Sequence, residues 1–122
     1  MRTPVDTLDA SMSPKMVLGL MERKGVYQLP VSDGRHFLGM ISKIELEGAA
    51  PEFEEVRQLV KDEFPHLHSD HTLDIALHRM GSNRMHELPV VSRRDVHRLE
   101  GLVSLDDVLR LYGLDQYGRE KR

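Results

Sequence analysis

Leu29-Pro30-Val31 and Leu88-Pro89-Val90 are the same tripeptide 59 positions apart, and the fold follows from how far the identity extends. At that offset Leu8 pairs with Leu67, Leu18 with Leu77 and Met21 with Met80. Further along, Gly39-Met40-Ile41-Ser42 is answered by Gly101-Leu102-Val103-Ser104 at an offset of 62. The second copy therefore carries three extra residues between its Pro and its Gly. They fall in Ser92-Arg93-Arg94-Asp95-Val96-His97-Arg98, a polar stretch that predicts a longer hairpin loop.

Each copy has the same internal order. Leu73, Ala76, Leu77 and Met80 recur at helical spacing, and Met16, Val17, Leu20 and Met21 mark the matching stripe in the first copy. Ser13 before Pro14 predicts an N-cap with proline in the first turn. After each helix comes a short strand ending in Leu-Pro-Val. A turn follows (Ser32-Asp33-Gly34-Arg35 in the first copy), then a second strand (Phe37 to Ile41, and Leu99 to Val103) and a second helix. The fold class expected is α+β, with two β-α-β-β-α repeats forming α/β sandwich-like units. Gly48-Ala49-Ala50-Pro51 separates the copies, and Phe53, Val56, Leu59 and Val60 keep helical phase, which predicts a linker helix over Glu52–Glu63. The division expected is a first repeat over 1–50, a linker over 51–63, a second repeat over 64–115 and a tail over 116–122. A unit of about 60 residues buries too little surface to be comfortably stable alone. Two units are therefore expected to pack about a pseudo-two-fold axis, with a cleft suited to a small ligand.

The 122 residues hold 17 Lys and Arg against 20 Asp and Glu, so the net charge of −3 argues against general nucleic-acid binding, which rests on neutralising phosphates. With no cysteine, disulfides, thiolate catalysis and Cys-type zinc sites are excluded. No apolar run has the length of a signal sequence core or a membrane span. A soluble, cytoplasmic chain without direct membrane insertion is expected, including the case of a cytosolic part of a membrane protein. No catalytic constellation stands out, and the chain is not expected to be an enzyme.

Ala76-Leu77-x-x-Met80, Leu88-Pro89-Val90-Val91 and Gly101-Leu102-Val103-Ser104-Leu105-Asp106-Asp107-Val108-Leu109 together resemble a tandem pair of CBS domains, the cystathionine β-synthase-type regulatory module. The first copy keeps Leu29-Pro30-Val31, Gly39 and Ser42. The longer second hairpin with Ser-Arg-Arg-Asp is similar to the cytosolic modules of chloride-channel-type transporters. The resemblance implies a sensor for an adenosine-containing ligand (AMP, ADP, ATP or S-adenosylmethionine), a homodimer, and a fused or associated enzyme, channel or transporter. It implies that Ser104 and Asp107 hold phosphate and ribose, with Val26, Tyr27, Thr3 and Val5 on the purine. The equivalent second site would use Ser42 and Glu45 with Met85, His86 and residues near Phe64. Glu45 there adds a methylene where the ribose should sit, so that site is expected to be weaker or empty.

The chemistry is reasonable in its own right. A carboxylate accepts hydrogen bonds from both ribose hydroxyls, and a helix start after Ser104 offers backbone N–H groups to a phosphate. Ser-x-x-Asp and Ser-x-x-Glu are also capping-box patterns, and the two roles are compatible. Val26, Tyr27, Met85 and His86 equally suit strand packing, and Arg93, Arg94, His97 and Arg98 a solvated loop. One string points elsewhere. His66-x-His68-x-Asp70-His71 matches the zinc-binding signature of metallo-β-lactamase-type hydrolases. Against it, that fold is much longer, and the equivalent first-copy residues Thr7, Asp9, Ser11 and Met12 are not a ligand set. Ser69 or Asp70 is instead expected to cap the following helix. No resident metal is expected.

Overall fold

The computed structural model describes residues 6–49 and 51–111. The elements of the first copy are β1 (Leu8–Asp9), α1 (Pro14–Lys24), β2 (Gln28–Ser32), β3 (Phe37–Ser42) and α2 (Lys43–Glu47). Those of the second are α3 (Leu73–Asn83), β4 (Glu87–Val91), β5 (Leu99–Ser104) and α4 (Leu105–Leu111), preceded by a single parallel bridge from Leu67 to Val90 that stands where β1 stands in the first. Among the described residues, two compact units result: 6–64 with 96–98, and 65–95 with 99–111. No described helix is long and apolar enough to cross a membrane.

In the first unit the strand order is β1-β2-β3, β1 parallel and β3 antiparallel to β2. In the second, β4 and β5 form the equivalent antiparallel hairpin. Both hairpins shift register at the same place, between Val31 and Ser32 and between Val90 and Val91. The shared proline is tolerated because the parallel neighbour begins only beyond it. Leu67 donates its N–H to the Pro89 carbonyl at 2.9 Å and accepts from the Val91 N–H at 2.8 Å, so no pairing calls for an N–H at position 89.

Each helix is set by its cap. The Ser13 side chain accepts from the Met16 N–H with Pro14 in the first turn, and Gly25 closes α1 at φ 67°. Helix α3 starts at Thr72, whose hydroxyl accepts from Ile75 N–H, and not at Ser69 or Asp70. The carboxylate of Asp70 is drawn away into a two-pronged pair with Arg93 (3.0 and 2.9 Å). At the C-terminus of α3, Arg84 takes the left-handed conformation (φ 53°) that Gly25 supplies in the first copy. A side chain there crowds its own carbonyl. Arg84→Gly is therefore expected to raise stability by roughly 0.5–1 kcal/mol, read as a higher urea midpoint with an unchanged slope.

The first core gathers Val17 and Met21 from α1 with Leu8, Ala10, Val31, Ile41, Leu46 and Val56. Ala76 and Met80 from α3 join Leu67, Leu88, Val90 and Val108 in the second. Burying a side chain of this size contributes roughly 1.5–3 kcal/mol. The expected α1 stripe is narrower than its spacing suggests, since Met16 is 62% exposed.

The expected linker helix is not formed. Residues 51–64 belong to the first unit, and only Val56–Leu59 coil, as a 3-10 turn. The reason lies in the backbone donors. Val56 N–H goes to the Met12 carbonyl (2.8 Å) and Arg57 N–H to that of Ala10 (3.1 Å), so neither is available to a helical carbonyl four residues back. The turn buries Val56 in the first core, and Val60 then becomes extended (φ −76°, ψ 128°).

Candidate functional site

The two Ser-x-x-acid segments occupy equivalent corners, each where the last strand of a copy turns into its last helix. In the second unit Ser104 Oγ accepts from the Asp107 N–H at 3.1 Å, and Asp107 Oδ2 accepts from the Ser104 N–H at 3.4 Å. In the first unit Ser42 Oγ accepts from the Glu45 N–H at 3.2 Å, but the acid behaves differently. The longer Glu45 side chain folds back so that Oε1 accepts from the Ser42 hydroxyl at 2.9 Å. Asp107 thus accepts from the backbone N–H of Ser104, whereas Glu45 accepts from the serine hydroxyl. The capping role read from the sequence is real in both copies. Each capping bond that the acid accepts uses one of a carboxylate's roughly four acceptor positions.

The residue before each Leu-Pro-Val strand is fastened to the same corner of its own copy. Tyr27 carbonyl accepts from Lys43 N–H at 2.9 Å, and His86 carbonyl accepts from Leu105 N–H at 2.7 Å. Upstream, Val26 N–H bonds to Met21 carbonyl (3.1 Å) and Met85 N–H to Met80 carbonyl (2.9 Å). Within the first unit, then, Val26 and Tyr27 lie by Ser42 and Glu45. Within the second, Met85 and His86 lie by Ser104 and Asp107. Val26 and Met85 are half-buried, while Tyr27 and His86 are exposed. Thr3 and Val5 lie outside the described residues.

Sequence reasoning alone does not single out Lys43. Its ammonium stands 5.9 Å from the centroid of the Tyr27 ring, which is 74% exposed, in cation–π range. Its position directly after Ser42 is the available signal, and the second copy has Leu105 there. Phe64 lies in the first unit, edge-on to Phe37 with ring centroids 5.2 Å apart.

The histidine string is a row, not a cage. His66 and His68 meet edge-on, and His68 and His71 are tilted, each pair with ring centroids 5.1 Å apart. His68 Nδ1 hydrogen-bonds the Val91 carbonyl at 3.0 Å, His71 Nδ1 accepts from the His68 backbone N–H at 2.9 Å, and Asp70 is held by Arg93. Among the described residues no group of three or more His, Asp or Glu could hold a metal ion.

The His71 hydrogen bond has a pH consequence. Burial, then the nearby Arg79 and Arg93 guanidinia and His68, lower the His71 pKa, and Asp70 only partly opposes them. Accepting from the His68 N–H also requires an unprotonated Nδ1. The neutral ring is favoured in the folded state, so this group's contribution to stability is complete above the unfolded value of 6.5 and is lost as pH falls below it. The urea midpoint is expected to decline between about pH 7 and 5, and less so in His71→Gln. Identical profiles for the two proteins would dismiss this role.

Comparison with known proteins places this geometry. The CBS domain family model matches residues 1–51 and 56–113. The structure of CBSX2 in complex with AMP is similar, with a TM-score of 0.77 at 21% identity over 91% of this chain and 89% of that one. The CBS domain pair of MJ0100, solved with 5'-methylthioadenosine and S-adenosyl-L-methionine, gives a TM-score of 0.72 at 20% identity over 92% and 94% of the two chains. The cytosolic domain of the Mg2+ channel MgtE in complex with ATP gives 0.68 at 23%, over 88% of this chain and 44% of that one. Both copies of the repeat are matched, and the chain belongs to the CBS-domain family.

Proposed function

We propose that this chain is a regulatory module that takes an adenosine-containing ligand (AMP, ADP, ATP or S-adenosylmethionine) at the Ser104–Asp107 corner and passes the event to a fused or associated enzyme, channel or transporter. The observation that carries the reading is the corner itself: Ser104, Asp107 and the His86 peptide held together in one unit. A hydroxyl and a carboxylate at this spacing suit phosphate and ribose. Family membership and the AMP, ATP and S-adenosylmethionine complexes of similar proteins support it. The Ser42–Glu45 corner, where the acid already engages the serine hydroxyl, is assigned the weaker binding.

Isothermal titration calorimetry with each of the four ligands tests this. Saturable heat with at least one of them, near one per chain, supports the module as a sensor. No heat with any of the four overturns it.

A second reading, a ligand-free homodimerising module, is favoured by Met16 and Ile44, which are 62% and 82% exposed on the helix pair α1 and α2. Sedimentation equilibrium without ligand decides it, since a monomer at high micromolar concentration rules out the dimer.

A further inference from the structure

The two serine corners are built alike but do not carry the same charge. After Ser42 come Lys43, Ile44 and Glu45, and after Ser104 come Leu105, Asp106 and Asp107. Over these three positions the first corner holds a cation and an anion, whereas the second holds two anions and no cation. Both differences have a place in the fold. Lys43 is half-buried at the start of α2, its ammonium near the Tyr27 ring. Leu105 starts α4 and packs against the second core, so the position that carries the cation in one copy is given to packing in the other. One position on, Ile44 and Asp106 are both exposed. An acid in the first turn of α4 also suits the helix dipole. That does not remove its charge from the surroundings of the corner.

Adenosine compounds share a purine and a ribose and differ in what the ribose carries. Adenosine itself has no charge there, the nucleotides have one to three phosphates, and S-adenosylmethionine has a sulfonium with a fixed positive charge. The shared part is indifferent to Asp106, and the variable part is not. Asp106 lies two residues beyond Ser104, which bounds their Cα separation at about 7 Å, inside the Debye length of about 10 Å at 0.1 M salt. A phosphate chain brought to this corner adds anions beside Asp106 and Asp107, and Leu105 offers nothing to offset them. A cationic group is drawn to the same place.

We propose that the Ser104–Asp107 corner selects its ligand by charge: it takes adenosine compounds without phosphate, above all those bearing a cation such as a sulfonium, in preference to nucleotides, and Asp106 sets that preference. This rests on the ligand reading of the corner and narrows it to one chemical class.

Calorimetry of the full chain with adenosine, S-adenosylmethionine, AMP and ATP, without added divalent metal and at low and raised salt, is the test. Adenosine, having no charge, reports the corner itself. In the unaltered protein S-adenosylmethionine is expected to bind at least about tenfold more tightly than ATP at low salt, with AMP between them, and the gap should narrow as salt rises. Asp106→Lys reverses an exposed charge and leaves Ser104 and Asp107 in place. It should tighten ATP about tenfold, weaken S-adenosylmethionine about threefold and leave adenosine within about twofold. Asp106→Asn should give about half of each change on a logarithmic scale, and it carries the test alone should Asp106→Lys fail to fold. ATP binding as tightly as S-adenosylmethionine to the unaltered chain overturns the selection. So does a ratio of the two affinities that ignores both Asp106 variants. In either case adenosine that still binds leaves the corner itself standing as the site. If none of the four binds, the ligand reading falls and the selection falls with it.

Discussion

Gly39→Ala is expected to destabilise the first unit by about 2–4 kcal/mol, more than any surface substitution would. Two independent effects add. Gly39 has φ 143°, a backbone conformation that a residue with a Cβ adopts only under strain. A Cβ there would also lie 2.7 Å from Val60 Cγ1, with a Phe64 ring carbon at 3.4 Å and the Lys61 carbonyl at 3.5 Å. Val60 is a stiff β-branched side chain, so the clash is not relieved by a simple rotation. The two effects are separable by a double-mutant comparison. Val60→Ala in the Gly39→Ala background removes the crowding but leaves the backbone strain, so it should recover about half of the loss once the cost of Val60→Ala alone is subtracted. Urea denaturation of the four proteins reads this directly. A Gly39→Ala midpoint equal to that of the unaltered chain would contradict both the backbone strain at Gly39 and its crowding by Val60.

Asp107→Ala is expected to weaken the binding of the preferred adenosine ligand by about 30- to 100-fold, while Glu45→Ala changes it less than about threefold. The magnitude corresponds to the net loss of one charge-assisted hydrogen bond, about 1.5–3 kcal/mol, with water entering the vacated space to solvate the second ribose hydroxyl. The same substitution also removes the side chain that accepts from the Ser104 N–H, and a lost cap costs about 1 kcal/mol of stability. That stability loss is read separately, by thermal denaturation without ligand. Asp107→Asn keeps the size and an oxygen acceptor but loses the charge, so its affinity should fall between those of the unaltered protein and Asp107→Ala. Calorimetry that finds Asp107→Ala binding as tightly as the unaltered chain would remove the carboxylate from the site. A loss in Glu45→Ala instead would transfer the principal site to the Ser42 corner.

Much of this architecture is legible in the amino-acid sequence. The two Leu-Pro-Val strands, their hairpins and the flanking helices lie where the repeat puts them, because strand alternation and helix capping are local properties of a few neighbouring residues. Where local signals compete, the sequence misleads. Phe53, Val56, Leu59 and Val60 satisfy a helical period, yet the Met12 and Ala10 carbonyls claim the Val56 and Arg57 amides, and a helix cannot form around donors already used. Ser69 and Asp70 are both reasonable caps by residue type. The cap falls to Thr72 because Arg93, 23 positions from Asp70, engages that carboxylate.

The candidate site divides along the same line. The Ser-x-x-acid spacing at both corners is readable from the chain. The direction each acid takes is not: Asp107 turns to a backbone N–H and Glu45 to the serine hydroxyl, a difference of one methylene that only the folded corner expresses. By itself the sequence determined the number of repeats, the order of elements in each and the serine–acid pair that ends them, because all three are encoded in residues a few positions apart. Tertiary structure alone decided what Val56, Lys43 and Arg93 do. Each acts on a partner that the chain brings near only after folding, and no pattern in the neighbouring residues records where that partner will be.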